Sequence, residues 1–358
     1  MKELSITFIV GARPNFIKIA PLLYEARRRR LRVRLIHTGQ HFSPEMSRSF
    51  FEDLEIPEPD CNLGVSSGTQ VEQMAAIMTG LEPVLRERPE DMLVVVGDVT
   101  STVAAALVGA KTGLRVAHVE AGLRSYDRTM PEEINRIVTD AVSDYLFTTE
   151  PSGEENLLRE GVPPHKIFFV GNVMIDTLLR HRNKATRSNA LTELRLEPRG
   201  YVIVTLHRPS NVDDPARLSE LVNVLDTIGE GIRVIFPVHP RTRERLLASD
   251  LRPSNITLIP PQSYLDFVHL MANARAVLTD SGGIQEETTI LQVPCLTMRD
   301  NTERPVTITR GTNRLVGVNP GKIAAAALET LKSPPTETKM PELWDGAAAG
   351  RIIDALQA

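Results

Sequence analysis

The chain has 358 residues, of which 42% are hydrophobic and 24% are charged, as is usual for a globular protein. This length exceeds what one hydrophobic core ordinarily supports, so we expect two domains. The net charge of −4 argues against a nucleic-acid or membrane partner, and no apolar run reaches the ~20 residues that span a bilayer. Two cysteines without metal-ligand spacing fit a reducing compartment, so we expect a cytoplasmic protein without a metal site.

Short apolar runs alternate with helical patterns through the first half of the chain. Taken in order, the predicted strands are 4–10, 33–37, 92–96, 115–119 and 145–148. Between them the pattern predicts helices at 16–30, at 102–110 and from Pro131 to about Asp144, the last with Ile134, Val138 and Val142 on one face. Because the strands are nearly all apolar rather than alternating, they favour a parallel sheet covered by helices on both faces.

A second series of strands follows a polar, basic stretch at 181–199, which we interpret as part of the domain connection. The predicted strands of this series are 201–206, 233–237, 256–259, 276–278 and 295–298. A segment rich in proline, threonine and lysine at 333–341 leads to a final helix near 347–358. The whole pattern predicts an α/β protein with two Rossmann-like, doubly wound domains that face a cleft, placed at 1–172 and 173–343, followed by a helical segment at 344–358.

Polar residues collect at the carboxyl ends of the predicted strands, where doubly wound sheets bind their ligands. Gly11 permits close backbone approach after the first strand, and Arg13 offers a permanently charged fork suited to phosphate. Asp98, Glu120 and Glu132 are candidate acid–base carboxylates, because mutual repulsion raises some pKa values and lets one be protonated while another is ionised. Asp98 could instead cap a helix and Glu132 could favour a helix start, but Glu120 closes a buried strand and needs a partner or a chemical role.

The second half carries a turn typical of a nucleotide site, in which a strand leads through Ser281-Gly282-Gly283 into a helix. The first N–H groups and the dipole of such a helix attract an anion, and the glycines let a diphosphate approach. Glu287, about one helical turn further, could accept both hydroxyls of a ribose. A glycine turn with a capping serine is the simpler alternative, but it leaves the acidic pair Glu286 and Glu287 unexplained. The usual signatures of NAD and of P-loop nucleotides are absent.

With these segments the sequence resembles the non-hydrolysing UDP-N-acetylglucosamine 2-epimerases over nearly its whole length. The matching segments are Gly11-Ala12-Arg13-Pro14 with Lys18, His118-Val119-Glu120-Ala121-Gly122-Leu123-Arg124, Pro131-Glu132-Glu133 with Asn135-Arg136, Gly171-Asn172, Leu206-His207-Arg208, His239-Pro240, Asp280-Ser281-Gly282-Gly283-Ile284-Gln285-Glu286-Glu287, and Arg299-Asp300 with Thr302-Glu303-Arg304-Pro305. The resemblance implies a fold of the glycosyltransferase-B type whose C-terminal helix packs back on the first domain. It also implies a cofactor-free homodimer that interconverts UDP-N-acetylglucosamine and UDP-N-acetylmannosamine for cell-envelope polysaccharide synthesis.

The same resemblance implies roles for individual residues. Asp98, Glu120 and Glu132 would be the acid–base carboxylates, and His207 would act with them by holding the departing diphosphate. The remaining substrate-binding residues would be Arg13, Ser281, Gly282 and Gly283 at the diphosphate, Glu287 at the ribose, Phe267 at the uracil, Lys18 and Arg304 around the sugar and phosphate, and also Arg136.

Two segments depart from the commonest bacterial pattern of this family. Pro209-Ser210-Asn211 stands where that pattern has a Glu-Asn pair, and 66–73 lacks the arginine with which some relatives hold a second, activating substrate molecule. We therefore expect an enzyme without that allosteric requirement. The departures leave open a 2-epimerase of another UDP-amino sugar, such as a diacetamido-uronate. A hydrolysing relative, a glycosyltransferase of the same fold and a catalytically silent UDP-sugar-binding protein are further alternatives.

Overall fold

The computed structural model describes residues 4–39, 50–238, 240–248, 253–333 and 338–358. The chain divides into two compact units, one formed by Met1–Arg180 with Glu342–Ala358 and the other by His181–Pro341. The division falls just after residue 180, whereas the boundary predicted from the sequence lies at 172–173. Within the described ranges, no helix has the length and apolar character needed to cross a membrane.

Unit 1 (Met1–Arg180 with Glu342–Ala358) contains a sheet of parallel strands with helices between them. Its described strands are β1 (Ser5–Val10), β2 (Arg32–His37), β3 (Cys61–Asn62), β4 (Met92–Val96), β5 (Arg115–Ala121), β6 (Tyr145–Thr148) and β7 (Ile167–Phe169). Its helices up to the unit boundary are α1 (Arg13–Arg28), α2 (Gln70–Glu87), α3 (Thr100–Thr112), α4 (Pro131–Val142), α5 (Pro151–Arg159) and α6 (Val173–Ala185). The strand order is β3-β2-β1-β4-β5-β6-β7, so β1, β4 and β5 are neighbours in the middle of the sheet.

Two central strands of unit 1, β1 and β4, are buried along their full length, as the apolar sequence pattern predicts for a parallel sheet. All residues of β1 and β4 are buried, and an apolar cluster joins the sheet to helices α2 and α3. Gly109 lets helix α3 lie close to the sheet. A side chain at this position would meet Leu93 Cδ2 at 2.6 Å and Val116 Cγ2 at 2.9 Å. The predicted parallel α/β sheet is therefore confirmed in this unit.

Helix α4 differs from the helices around it because its buried face is polar. The buried residues are Glu133, Asn135, Arg136, Thr139 and Asp140, all of them polar and none of them from the apolar face that the sequence suggested. Of that apolar face, Ile134 is 37% exposed and only Val142 packs at the rim of the core cluster. The polar face is stable when buried because the strand ends supply its side chains with ionic and hydrogen-bonding partners.

Unit 2 (His181–Pro341) repeats the architecture with a second parallel sheet. Its described strands are β8 (Tyr201–Thr205), β9 (Arg233–Pro237), β10 (Ile256–Ile259), β11 (Ala276–Thr279), β12 (Cys295–Thr297) and β13 (Asn313–Leu315). Its helices are α7 (Ala190–Glu193), α8 (Pro209–Val212), α9 (Pro215–Gly229), α10 (Pro240–Ala248), α11 (Tyr264–Asn273), α12 (Gly282–Leu291), α13 (Val306–Thr309) and α14 (Pro320–Lys332). The order β10-β9-β8-β11-β12-β13 is the 3-2-1-4-5-6 order of dinucleotide-binding folds, here around one large apolar cluster.

The strands that the sequence did not predict are short and lie at sheet edges. They are β3, β7 and β13, with two or three residues each. Such segments are too short to show a periodic pattern, and they become strands because a neighbouring strand offers an open edge.

The last helix, α15 (Ala348–Gln357), belongs to unit 1 and packs on α1. Asp176 of α6 accepts hydrogen bonds from the first two N–H groups of α15, with distances of 3.2 Å from Ala348 N and 2.7 Å from Ala349 N. Just before the helix, Trp344 is almost fully buried and its indole N–H donates to Thr149 O over 2.8 Å. These contacts join the end of the chain to unit 1.

Candidate active site

In unit 1 the ends of β1, β4 and β5 bring several charged side chains together. Glu120, the second-last residue of β5, is 2% exposed and has a left-handed backbone with φ of 77°. The pairing of β5 with β6 shifts register between Val119 and Ala121, which places Glu120 in a bulge. A left-handed glutamate is strained and persists only where its surroundings hold it, so this residue is a candidate for function.

Lys18 of α1 is the partner of Glu120. Its Nζ lies 2.7 Å from Glu120 Oε2, and both side chains are nearly inaccessible to solvent. The ammonium also lies against the turn that follows β4. There, a side chain at Gly97 would meet Lys18 Nζ at 2.8 Å. The ion pair therefore holds the Glu120 carboxylate in one orientation, as a general base requires.

Asp98 follows that turn and is paired with Arg136 of α4. Arg136 Nη1 donates to Asp98 Oδ2 over 2.6 Å, and Asn135 donates to the Asp98 backbone oxygen over 2.8 Å. The same guanidinium donates to Glu133 Oε2 over 2.6 Å. Burial opposes ionisation of Glu133, but the Ser125 N–H and Arg136 outweigh it and hold the pKa of Glu133 below its ordinary value. Asp98 does not cap the next helix, whose N-cap is Val99.

The other predicted residues of unit 1 lie near this group. Glu132 is half-buried in the first turn of α4, one turn before Arg136. Arg13 begins α1, and its guanidinium carbon lies 5.7 Å from the centroid of the Phe50 ring. We call Lys18, Asp98, Glu120 and Arg136 the carboxylate cluster.

In unit 2 the end of β11 carries a buried carboxylate, Asp280, that organises the end of β8. It accepts backbone hydrogen bonds from His207 and Arg208 and a side-chain bond from Asn211, and His207 Nδ1 lies 2.8 Å from its Oδ1. Burial favours the protonated acid, yet His207 and these hydrogen bonds hold the pKa of Asp280 below its usual range. Because Nδ1 faces Asp280 and the His207 side chain is 60% exposed, Nε2 is the nitrogen available to a ligand.

The turn 281–283 starts helix α12, as the sequence predicts for an anion site. A side chain at Gly282 would meet Arg304 Nη1 at 2.4 Å and Glu303 Oε1 at 2.7 Å, so only glycine fits there. Arg304 is buried, pairs with Glu303, and donates through Nε to Glu286 Oε1 over 2.7 Å. The first N–H groups of α12 therefore lie beside a buried guanidinium, an arrangement that attracts a phosphate.

Glu287 lies one turn into α12, buried against helix α11. The hydroxyl of Tyr264 donates to Glu287 Oε1 over 3.0 Å. Burial raises the pKa of Glu287 to about 7, the Tyr264 hydrogen bond lowers it and the Glu286 charge raises it further. Phe267 is half-buried on α11, three residues beyond Tyr264 and on the same side of that helix.

The structure thus groups the predicted residues by unit. In unit 1, Lys18 pairs with Glu120 and Arg136 pairs with Asp98. In unit 2, His207, Gly282 and Arg304 lie around the strand ends. His239, part of the resemblance, lies outside the described residues. Among the residues that the structure does describe, no three or more histidine, cysteine, aspartate or glutamate side chains are arranged to hold a metal ion.

Several residues of these sites were not predicted as such. The buried polar residues Glu133 and Asp140 on α4, and Asp280 and Glu303 in unit 2, bind the predicted residues directly or support them. In α4 the spacing of Glu133, Arg136 and Asp140 repeats the helical period and was available as a signal. Single buried carboxylates such as Asp280 carry no periodic signal.

A sequence model of the UDP-N-acetylglucosamine 2-epimerase family matches residues 25–357. The chain belongs to this family. It is 41% identical over 363 residues to the UDP-N-acetylglucosamine 2-epimerase of Methanocaldococcus jannaschii, with 99% of each chain covered. It is also 41% identical over 360 residues, again 99% of each, to the UDP-2,3-diacetamido-2,3-dideoxy-D-glucuronate 2-epimerase of Pseudomonas aeruginosa.

The fold of the 2-epimerase family extends over the whole chain. A crystal structure of the M. jannaschii UDP-GlcNAc 2-epimerase in complex with UDP-GlcNAc and UDP is similar with a TM-score of 0.93, covering 99% of both chains. The predicted pair of Rossmann-like domains is confirmed by this likeness and by the two parallel sheets. Relatives of equal identity carry the names of two different sugars, so identity alone does not identify the substrate.

Proposed function

We propose that this chain interconverts UDP-N-acetylglucosamine and UDP-N-acetylmannosamine by eliminating and re-adding UDP. The observation that carries the proposal is the buried, strained Glu120 paired with Lys18 beside a second paired carboxylate, Asp98. This pairing occurs in a chain whose fold and 41% identity match an enzyme crystallised with UDP-GlcNAc and UDP.

The chemistry explains why such a cluster is useful. The hydrogen on carbon 2 of the sugar is not next to a carbonyl group, so a carboxylate cannot remove it directly at neutral pH. When the anomeric C–O bond breaks, its electron pair leaves with UDP and positive charge develops at carbon 1. That charge acidifies the C2–H, and a carboxylate takes the proton as a C1–C2 double bond forms, giving a 2-acetamidoglucal.

Unit 2 is suited to the leaving group. The first N–H groups of α12, Arg304 and His207 Nε2 would stabilise the charge that accumulates on the diphosphate. Glu287 would bind the ribose, and Phe267 would pack against the uracil. These contacts hold UDP, so that the same molecule can return to carbon 1.

Unit 1 carries the carboxylates suited to transferring the proton of carbon 2. Lys18 holds the Glu120 carboxylate in one orientation, so Glu120 is suited to be a base in one direction, and Arg136 holds Asp98 in the same way. Inversion requires one carboxylate on each face of the glucal, because the proton leaves one face and another proton arrives at the opposite face. Glu132 is the third candidate for these two positions.

The resemblance further supports a cytoplasmic homodimer. Sedimentation equilibrium of the purified chain measures the oligomeric state, and a monomer at micromolar concentration would remove that part of the proposal.

Deuterium incorporation tests the reaction. The protein is incubated with UDP-N-acetylglucosamine in D₂O, and carbon 2 is followed by ¹H NMR. We expect UDP-N-acetylmannosamine to appear with deuterium at carbon 2 and the substrate pool to exchange as well. Epimerisation without label contradicts the mechanism. UDP binding without exchange for any UDP-sugar indicates a silent binding protein, whereas release of free N-acetylmannosamine indicates a hydrolysing enzyme.

A second candidate substrate is a UDP-diacetamido-uronate, favoured by the equal identity to the P. aeruginosa relative. The same D₂O assay is run in parallel on both nucleotide sugars. The substrate with the higher kcat/KM for exchange at carbon 2 is the one that the chain prefers. Exchange only with the uronate would replace the first proposal and keep its mechanism.

A further inference from the structure

A chain of charged side chains lies buried beneath the carboxylate cluster. Glu160, at the end of α5, accepts two hydrogen bonds from Arg124, of 2.8 and 2.6 Å. Arg124 Nη1 lies 2.7 Å from Asp140 Oδ2, and Asp140 Oδ1 lies 2.6 Å from His118 Nδ1. The other ring nitrogen of His118 lies 2.8 Å from the backbone oxygen of Gly97. His118 is fully buried, and only Glu160 is appreciably exposed.

The hydrogen-bond partners decide where the protons are. A backbone oxygen can only accept, so His118 Nε2 carries a proton toward Gly97. Asp140 Oδ2 faces the Arg124 guanidinium and accepts the Gly122 N–H over 3.1 Å. Burial favours protonated Asp140, but His118 and Arg124 outweigh burial and hold the pKa of Asp140 below its ordinary value. Ionised Asp140 then accepts from His118 Nδ1, so both ring nitrogens carry protons.

The charge balance agrees with this assignment. With an imidazolium, the group His118, Asp140, Arg124 and Glu160 has two positive and two negative charges. On the other side of the Gly97 turn are the charges of Lys18 and its partner Glu120.

We propose that His118 is a buried imidazolium that positions the two turns presenting Asp98 and Glu120. Through Nε2 it holds the Gly97 carbonyl, directly before Asp98. Through Asp140 it holds the N–H of Gly122, two residues after Glu120.

Both turns need such support. Gly97, Glu120 and Gly122 all have left-handed backbones, with φ of 69°, 77° and 78°. A side chain at Gly122 would meet the Gly153 oxygen at 2.2 Å, so this turn lies directly on α5. A cation between the two turns therefore holds both turns, including the strained Glu120, and with them two carboxylates, in one relative position. The inference rests on the proposed function only where it names Asp98 and Glu120 as the reacting groups.

NMR of the wild-type chain tests the charge without any assay of activity. With ¹⁵N-labelled histidine at neutral pH, we expect one buried ring to carry a proton on both nitrogens. The signal should be lost in His118→Gln. His207 also pairs with a carboxylate and could give a similar signal, so His207→Gln is the control. The signal of His118 should persist in that variant. Absence of such a ring from the wild-type spectrum overturns the proposal even if His118→Gln fails to fold.

Kinetics test the positioning role. His118→Gln should lower kcat for exchange at carbon 2 by about 10²-fold with KM little changed, as for a misplacement of about 1 Å. His165→Gln, an exposed histidine, is the matched control and should leave both constants unchanged. A variant that keeps wild-type kcat overturns the positioning role. If the wild-type chain shows no exchange with any UDP-sugar, the proposed function fails, while the NMR result still decides the charge of His118.

Discussion

At Glu120 the chain holds a buried carboxylate in a left-handed backbone and against an ammonium group. Each of these features costs free energy when taken alone, since left-handed glutamate is strained and buried charges are desolvated. The pairing with Lys18 at 2.7 Å offsets part of the cost and holds the carboxylate in one orientation. The combination is expected where a base must be present at neutral pH and held in one orientation.

Replacing Glu120 by glutamine tests its role as a proton carrier. Glutamine keeps the shape but cannot take the proton, so kcat for exchange should fall by about 10²–10⁴-fold. UDP affinity, measured by calorimetry, should be little changed because Glu120 is not among the residues assigned to the UDP contacts. Glu155→Gln, an exposed glutamate of α5, is the control. Near wild-type turnover of Glu120→Gln would show that this residue is not in the acid–base set.

Glu287 predicts a pH dependence of UDP binding. Burial raises its pKa to about 7, and ribose hydroxyls donate to the ionised form. Affinity for UDP should therefore rise as pH rises through about 7, by at most about tenfold per pH unit because one proton is involved. Glu287→Gln should remove this component. The phosphate of UDP also titrates, so UDP affinity is measured from pH 6 to 8 for both wild type and Glu287→Gln. Equal slopes of affinity against pH in the two proteins would contradict the assignment of Glu287 to the ribose.

At the scale of single elements, the start of helix α12 depends on one glycine. Alanine at Gly282 would push against the buried Arg304 and Glu303, which are held by their own ion pairs. Gly282→Ala should lower the free energy of unfolding by about 1–3 kcal/mol and weaken UDP binding. Gly321→Ala in α14 is the control, because its added carbon would come no closer than 3.4 Å to Asn319. Equal UDP affinity in both variants would contradict the phosphate role of this turn.

Helix α15 depends on a carboxylate from outside the helix. Asp176→Ala leaves the buried N–H groups of Ala348 and Ala349 without their acceptor, at a cost of about 1–3 kcal/mol in urea unfolding. Asp354→Ala, which removes a 69% exposed carboxylate of the same helix, should cost less than about 1 kcal/mol. A loss no larger than that of Asp354→Ala would contradict the capping role.

The same helix gives a second pH effect. Burial raises the pKa of Asp176 from 3.8 to about 6 in the folded chain. The folded state therefore binds this proton more tightly, and the contribution of Asp176 to stability decreases as pH rises from about 4 to about 6. The stability of wild type relative to Asp176→Asn should accordingly be greater at pH 5 than at pH 7.

At the scale of the whole molecule, the prediction concerns regulation by substrate. The segment 66–73 lacks the arginine that binds an activating substrate in some relatives, and its polar groups are used locally. Thr69 and Glu72 form a reciprocal cap at the start of α2, with distances of 3.2 and 2.7 Å, and Gln73 donates to the Gly68 oxygen over 2.9 Å. The capping residues therefore hold the helix start.

Progress curves from UDP-N-acetylmannosamine should be free of a lag and unchanged by added UDP-N-acetylglucosamine. The measurement follows product by NMR with and without a small amount of the second sugar. A lag that disappears on that addition would mean that a second substrate molecule activates the enzyme through other residues.

By itself the sequence determined the parallel α/β architecture and the gathering of polar residues at strand ends. These follow from local properties, namely apolar runs, glycine turns and helix starts. The tertiary structure decided which charges meet. Lys18 and Glu120 are 102 positions apart, and Asp98 and Arg136 are 38 apart, so only the strand order β1-β4-β5 and the packing of α4 bring each pair together. It also decided that α4 buries its polar face and that His118 lies between two acceptors, because the burial of a charge depends on partners that no local pattern names.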